Sequence, residues 1–481
     1  MLAGPDGAVL ARAERRHELS LPRPGWAEHD ADTVWWADVR SICADLGPAL
    51  RGLCGVCVSG IGPCVVPCDA HMQPLRQAIL YGIDTRAAAE IDELERRLGA
   101  DAILARCGSA LSSQAVGPKL LWLRRNEPDV WARTAGWYMA SSFVVGRLTG
   151  EYVLDHHSAS QCDPLYDLDE SDWAWEWAED VAPGVPLPRL VWPAEVVGAV
   201  TEAAARETGL PAGTPVAAGT VDAWAEAFSA GVRSPGDLML MYGSTMFFVQ
   251  VTDGSRPTPL LWTTRGVERG SRTLAAGMST AGMLTEWLRG LVGDPDWDEL
   301  LAEAAAVPAG SRGLLLLPYF AGERTPIYDP HARGVIAGLT LEHGRGELLR
   351  ACYEAIAFGT RQILEVMSAA AGAADRVVAV GGGTKAELWL QIVSDATGIV
   401  QHVPEQTIGA SYGDALIAAI AVGLARPETS WAKDASVVEP RPEEQATYDE
   451  LFGLYRDLYP ATKSIVHRLG DIRARDGGGS P

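Results

Sequence analysis

Three short stretches carry residue types that can move a phosphoryl group. In residues 377–398, VVAVGGGTKAELWLQIVSDATG, a β-branched run breaks into Gly381, Gly382 and Gly383 before a helical pattern begins. Residues without a Cβ let backbone approach an anionic ligand closely, and the helix start that follows offers unpaired N–H groups. In residues 214–232, TPVAAGTVDAWAEAFSAGV, an apolar run turns at Gly219 and Thr220 and delivers Asp222 to the start of a second helical pattern. That carboxylate has two readings: an N-cap that accepts backbone N–H bonds, or a general base that takes the proton of an alcohol attacking phosphorus. In residues 238–249, LMLMYGSTMFFV, two apolar runs flank Gly243, Ser244 and Thr245, a turn able to aim N–H and hydroxyl groups at phosphate oxygens.

The elements that must hold these residues follow from periodicity. Val377, Val378 and Val380 suit a buried strand, and Leu388, Leu390, Ile392 and Val393 give the next helix an apolar face. Pro215–Ala218 reads as a strand end, with Trp224, Ala227, Phe228 and Gly231 on neighbouring faces of the helix after it. The stretch Arg233–Asp237, RSPGD, carries the turn signal expected where one domain passes into the next. Residues 1–232 and 233–425 then make two domains, and 426–481 an extension whose Tyr448, Leu451, Leu454, Tyr455 and Leu458 keep helical spacing. The terminal ARDGGGSP is expected to be disordered. Segment Asp169–Asp180, DESDWAWEWAED, reads as a surface helix or loop anchored by its tryptophans.

Composition excludes several classes. With 481 residues the chain is too long for one core and suits two large domains. Its 62 acidic against 40 basic residues give a formal charge of −22, which argues against a polyanionic nucleic acid as partner. No apolar run approaches the roughly 20 residues that span a bilayer, so no membrane partner is expected. The first residues carry no basic segment followed by an apolar stretch, so a secretory signal is not expected and a cytoplasmic location is. Cys54, Cys57, Cys64 and Cys68 have spacing that could suit zinc. Yet Leu53–Ser59 reads as an apolar strand, in which Cys54 and Cys57 face opposite sides and cannot easily share a tetrahedral ion. The cysteines are therefore read as small buried thiols, with no metal site.

The order of motifs resembles the FGGY carbohydrate kinases over nearly the whole chain. The resemblance rests on PRPGWAEHD (Pro22–Asp30), LRQAILYGIDTRAAAEI (Leu75–Ile91), GPKLLWLRRNEPDVW (Gly117–Trp131), GTVDAWAEA (Gly219–Ala227) and YGST (Tyr242–Thr245). It rests further on the long block Pro318–Arg361 and the glycine segment. It implies an α/β, two-domain, actin-like ATPase (ribonuclease-H-like) fold with a central cleft, and phosphorylation of a sugar or polyol with ATP and Mg²⁺. Residues 1–232 become the sugar-binding domain and 233–425 the nucleotide-binding domain. Residue by residue, Asp222 matches the catalytic base, with Gly219 and Thr220 as its turn. Gly243, Ser244, Thr245, Gly282, Gly381, Gly382 and Gly383 match positions facing ATP. Lys385 either reaches the nucleotide or is a solvated lysine. Tyr81 matches a position where an aromatic face covers sugar C–H groups. Asp84 and Arg86 either hydrogen-bond sugar hydroxyls or pair with each other and fix their loop. A small-molecule sugar is the expected partner, and the resemblance admits a homodimer.

Two departures matter. Ser59–Pro63, SGIGP, supplies no polar side chain after Ser59, where xylulokinases often carry Gln-Met-His and glycerol kinases an Arg-Glu pair. This argues against glycerol and weakens an ordinary xylulose assignment, and Ala223 beside Asp222 differs from the Gln or Asn of both relatives; the expectation is a ketose such as a pentulose. Second, relatives open with a strand and a G-x-D-x-G-T turn that helps to hold Mg²⁺ and contacts the transferring phosphate. Here Met1–Ala3 aligns with the end of the second strand, Pro5–Gly7 with the next turn and Val9–Ala13 with the third strand. The expectations are an ATP-dependent sugar kinase that transfers phosphate poorly as it stands or, alternatively, a non-catalytic sugar- or nucleotide-binding relative. A zinc-bearing interaction protein built on the cysteines is the distant third.

Overall fold

The computed structural model describes residues 1–476 and gives side-chain surroundings as far as Arg473. The chain divides into two compact units. The first comprises Met1–Arg233, Pro257–Thr273 and Ile408–Trp431; the second comprises Ser234–Arg256, Leu274–Thr407 and the described residues from Ala432 onward.

In the first unit the strands are short and pair in twos. Leu2–Ala3 joins Val9–Ala11, Val66–Cys68 joins Gly136–Tyr138, and Ser59–Gly60 lies parallel to Thr220–Val221. Helices hold these pieces together. In Val116–Asn126 every residue from Val116 to Leu123 is buried, and in Ala140–Thr149 all but Arg147 and Thr149 are, as expected of helices enclosed on all sides. The core they share includes Val65, Ile79, Leu120, Phe143, Leu154 and Tyr166. The helix Asp222–Ser229 buries Trp224, Ala225, Ala227 and Phe228 and packs on Ala410–Ala421. Their contact is so close that a Cβ on Gly413 would lie 1.9 Å from the Ala225 carbonyl oxygen, which requires glycine there.

The strand expected over Leu53–Ser59 is only partly formed. Val56 makes an isolated bridge to Val216, and regular pairing begins at Ser59. A ladder needs a partner, and glycines at 52 and 55 give the backbone no propensity to extend without one.

In the second unit a sheet orders Arg272–Met278, Met246–Thr252, Asp237–Tyr242, Arg376–Val380, Gln401–Pro404 and Asp434–Val438. Asp237–Tyr242 forms an antiparallel hairpin with Met246–Thr252, closing at Tyr242 opposite Met246. Its other edge runs parallel to Arg376–Val380, with Met241 opposite Val380. The turn after each strand therefore emerges at the same end of the sheet. Arg345–Ala371, 27 residues long, and Glu387–Thr397 pack against one another beside it.

The C-terminal helix Pro442–Asp476 continues through Ala474, Arg475 and Asp476, which the sequence assigned to a disordered end. The rest of that expectation, residues 477–481, lies outside the described residues. No helix among the described residues is long and apolar enough to cross a membrane.

Candidate active site

Asp222 stands at the end of the strand Thr220–Val221 as the first residue of its helix. Val221, not Asp222, holds the N-cap position, because its extended backbone precedes the first helical turn. The Asp222 carboxylate instead accepts the N–H of its neighbour Ala223 at 2.7 Å. Solvent reaches Asp222, while enough protein surrounds the carboxyl to push its pKa up to about 6. One helical turn on, Glu226 is pushed up to about 7, mainly by burial and further by the Asp222 charge. Thr220 donates its hydroxyl to Asp155 at 2.9 Å, and Asp155 also accepts the Ser158 N–H at 3.1 Å. Burial raises Asp155 to about 6.

The glycines of the second unit gather around one hairpin turn. Gly381, at φ 92°, has a backbone that side chains rarely adopt, and a Cβ there would lie 2.7 Å from the Tyr242 carbonyl oxygen. A Cβ on Gly383 would strike the Trp389 ring at 2.5 Å and the Tyr242 Cβ at 2.9 Å. Gly282 opens the helix Gly282–Leu291, and a Cβ there would meet the Gly243 carbonyl oxygen at 2.6 Å. Ala281 and Met283 donate N–H bonds to Ser244, and Gly282 donates to Gly243, at 3.0–3.1 Å, so the helix start holds the hairpin turn directly. Gly382, by contrast, faces open space, and Ser244 is exposed. Lys385 is exposed at the end of the short turn Gly382–Lys385. The result is a surface of backbone and small side chains, open at Gly382 and Ser244, that polyphosphate could approach closely.

The remaining residues singled out by the sequence lie in one loop of the first unit. Asp84 is buried and accepts the Ala27 N–H at 2.7 Å and the Arg86 guanidinium at 2.6–3.0 Å. Arg86, its side chain wholly buried, also lies 2.8 Å from Glu28 and stacks 3.8 Å over Trp26. These two residues are therefore tied to each other and to the loop's surroundings. Tyr81 is half-buried at the loop's start. Nearby, buried Lys119 donates to the carbonyl oxygens of Ser113 and Ala115, and its pKa falls to about 8 through burial.

The cysteines do not converge. Cys54 is exposed, Cys57 hydrogen-bonds Asp414 at 3.7 Å, and burial raises Cys64 and Cys68 to about 12. Among the described residues no group of three or more His, Cys, Asp or Glu side chains could hold a metal ion.

The N-terminal domain of the FGGY family of carbohydrate kinases matches residues 1–229, and its C-terminal domain matches residues 238–422. The chain belongs to the FGGY family of carbohydrate kinases. A xylulose kinase from Bacillus subtilis is 27% identical over 98% of this chain and 96% of its own. A glycerol kinase from Alkalilimnicola ehrlichii is 31% identical over 89% of this chain and 88% of its own. The solved xylulose kinase of Rhodospirillum rubrum superposes with a TM-score of 0.86 at 32% identity, covering 94% of both chains. The two-domain actin-like architecture expected from the sequence is thus that of its structural neighbours.

Sequence reading of this FGGY kinase passed over Glu226 and Asp155. Glu226 was within reach of it, since a spacing of four puts it on the same helix face as Asp222. Asp155 was not, because only the fold brings it to Thr220, 65 residues away in sequence.

Proposed function

We propose that this FGGY kinase transfers the γ-phosphoryl group of ATP to a hydroxyl of a ketopentose, with Asp222 as general base. The observation that supports this most is the state of Asp222: a solvent-reached carboxyl on a strand end, poised at about 6. Such a group is ionised at neutral pH yet basic enough to accept an alcohol proton as the bond to phosphorus forms. The hydroxyl oxygen gains the phosphoryl group, its proton goes to Asp222, and the bond to the β-phosphate oxygen breaks, leaving ADP.

The second unit supplies the nucleotide surface. Ser244 and Thr245 offer N–H and hydroxyl donors to phosphate oxygens in a turn that Gly243 closes through its N–H to the Thr245 carbonyl, and the open face at Gly382 admits the nucleotide where a side chain would intrude. Mg²⁺ enters as part of the nucleotide substrate, because this ion is usually held by one or two carboxylates plus phosphate oxygens and not by a cage of protein ligands.

Tyr81 covers the sugar's C–H groups, and Asp84 with Arg86 braces the loop that carries it. The apolar Ile61, Gly62 and Pro63, together with the xylulose kinases among the relatives, favour a ketose over glycerol. ADP release measured by a coupled assay over a panel of ketopentoses, polyols and aldonic acids tests this. A ketopentose should give the highest kcat/KM, and a preference for glycerol would refute the substrate assignment.

A further inference from the structure

The loop that begins at Tyr81 is fastened at both ends. At its far end Asp84 and Arg86 hold it to Ala27, Glu28 and Trp26. At its near end Gly82, at φ 69°, donates its N–H to the Ser113 carbonyl oxygen at 3.3 Å, and its own carbonyl accepts the Ser113 hydroxyl at 2.6 Å. Ser113 lies in the turn that leads into the helix Val116–Asn126. The position of Tyr81 therefore follows that turn.

Lys119 holds the turn. Its side chain runs back from the start of the helix, and Nζ lies 2.5 Å from the Ser113 carbonyl oxygen, 3.0 Å from that of Ala115 and 3.4 Å from that of Gln114. An ammonium has three protons to donate, so three converging carbonyls match its charged form and one is left unmet when a proton is lost. The Ser113 carbonyl takes both the ammonium and the Gly82 N–H, so cation and loop share one acceptor. Burying that charge is costly, as the fall of its pKa to about 8 records, so packing alone does not account for a lysine here. A cavity of about 190 Å³ separates loop from turn, lined by Thr85, Ala88, Ile91, Ser112 and Ala115 together with Asp84 and Lys119. It is room into which the loop can shift once the cation is gone.

We infer that Lys119 is a positioning residue for the sugar: through the Ser113 carbonyl it fixes Gly82, and so sets Tyr81 against the substrate. The inference rests on the proposed sugar-binding role of Tyr81, but the loop itself can be followed without sugar. Asp84 and Arg86 on the loop bear on Lys119 with opposite signs, and burial keeps the neighbouring Cys64 and Cys162 as thiols. On the flanking helices Ala88–Leu94 and Trp175–Val181, Glu90 and Glu93 lie by Arg125, and Asp180 pairs with Arg97.

Lys119→Met keeps the length of the side chain and removes its charge. It should raise the KM for the ketopentose about ten-fold or more, with kcat and the KM for ATP within about two-fold of the parent. Amide exchange at Gly82 should quicken by a similar factor, while Ile79, in the strand before the loop, keeps the parent rate. In the parent the sugar KM should rise as pH passes about 8 and Lys119 loses its proton; in Lys119→Met it should stay level. Ser113→Ala, which removes the hydroxyl donor and keeps the lysine, should also raise the sugar KM, and the two changes together should do less than the product of their separate effects. That variant and the parent's pH profile carry the test should Lys119→Met not fold. Unchanged exchange at Gly82, an unchanged sugar KM, an equal rise in the KM for ATP, or a parent profile level through pH 8 would each overturn the inference. Tyr81→Ala separates the two readings. If it too leaves the sugar KM unchanged, the sugar-binding role of Tyr81 falls as well; if it raises that KM while Lys119→Met does not, the inference falls alone.

Discussion

The proposed phosphoryl transfer depends on the protonation state of Asp222. Replacement by Asn keeps the size of the side chain and removes its basicity. Asp222→Asn should lower kcat by about a hundred-fold to ten-thousand-fold while the KM for sugar moves little, as expected when only proton transfer is lost. The raised pKa also fixes the acid limb of the parent's profile: kcat/KM should rise with pH through about 6 as Asp222 ionises, and then level off. Steady-state rates between pH 5 and 8 check both statements, and a flat profile through 6 would remove Asp222 from the role of base. Asp222 could be singled out from the sequence because its strand, turn and helix are contiguous. What the sequence could not supply was its setting. Asp155 reaches Thr220 across 65 residues and Asp414 reaches Ser59 across 355, and no local pattern encodes pairings of that length.

Whole elements depend on backbone approaches that only glycine permits. The helix Gly282–Leu291 rests its first turn on the hairpin at Gly243, so Gly282→Ala would push a methyl group into a carbonyl oxygen. Overpacking of this kind costs about 1–3 kcal/mol, and here the displaced element is the proposed phosphate turn. Urea unfolding should show that loss, and the KM for ATP should rise while the KM for sugar holds. Gly413→Ala strikes Ala225, in the helix that begins with Asp222. It should destabilise by a similar amount and lower kcat, leaving the KM for ATP near the parent value. The glycine turns and flanking strands were legible because a change of hydrophobic period from two to 3.6 marks them. The broken strand at Leu53–Ser59 was not, since its letters are apolar enough for a strand and only the missing neighbour keeps the ladder from forming.

Across the molecule, the buried carboxyls set how stability follows pH. Asp155 has a folded pKa of about 6, above its unfolded value near 4. The contribution of such a group is fully present below the unfolded pKa and is lost as pH rises through the folded one. Asp155→Asn should therefore gain stability relative to the parent as pH goes from about 4 to above 6, whatever its absolute change. Urea midpoints of the two proteins at several pH values measure the difference, and a constant offset would show that Asp155 does not titrate on unfolding. The two-unit architecture was foreseen through motif order, whereas the return of Pro257–Thr273 and Ile408–Trp431 to the first unit rests on contacts remote in sequence. The role of Asp222 as general base is tested by the ketopentose-dependent release of ADP, compared between the parent chain and Asp222→Asn under identical conditions. A clear sugar-dependent rate in the parent, lower by at least about a hundred-fold in the variant, is the predicted result. A parent rate no higher with sugar than without it, or a variant within a few-fold of the parent, would contradict it.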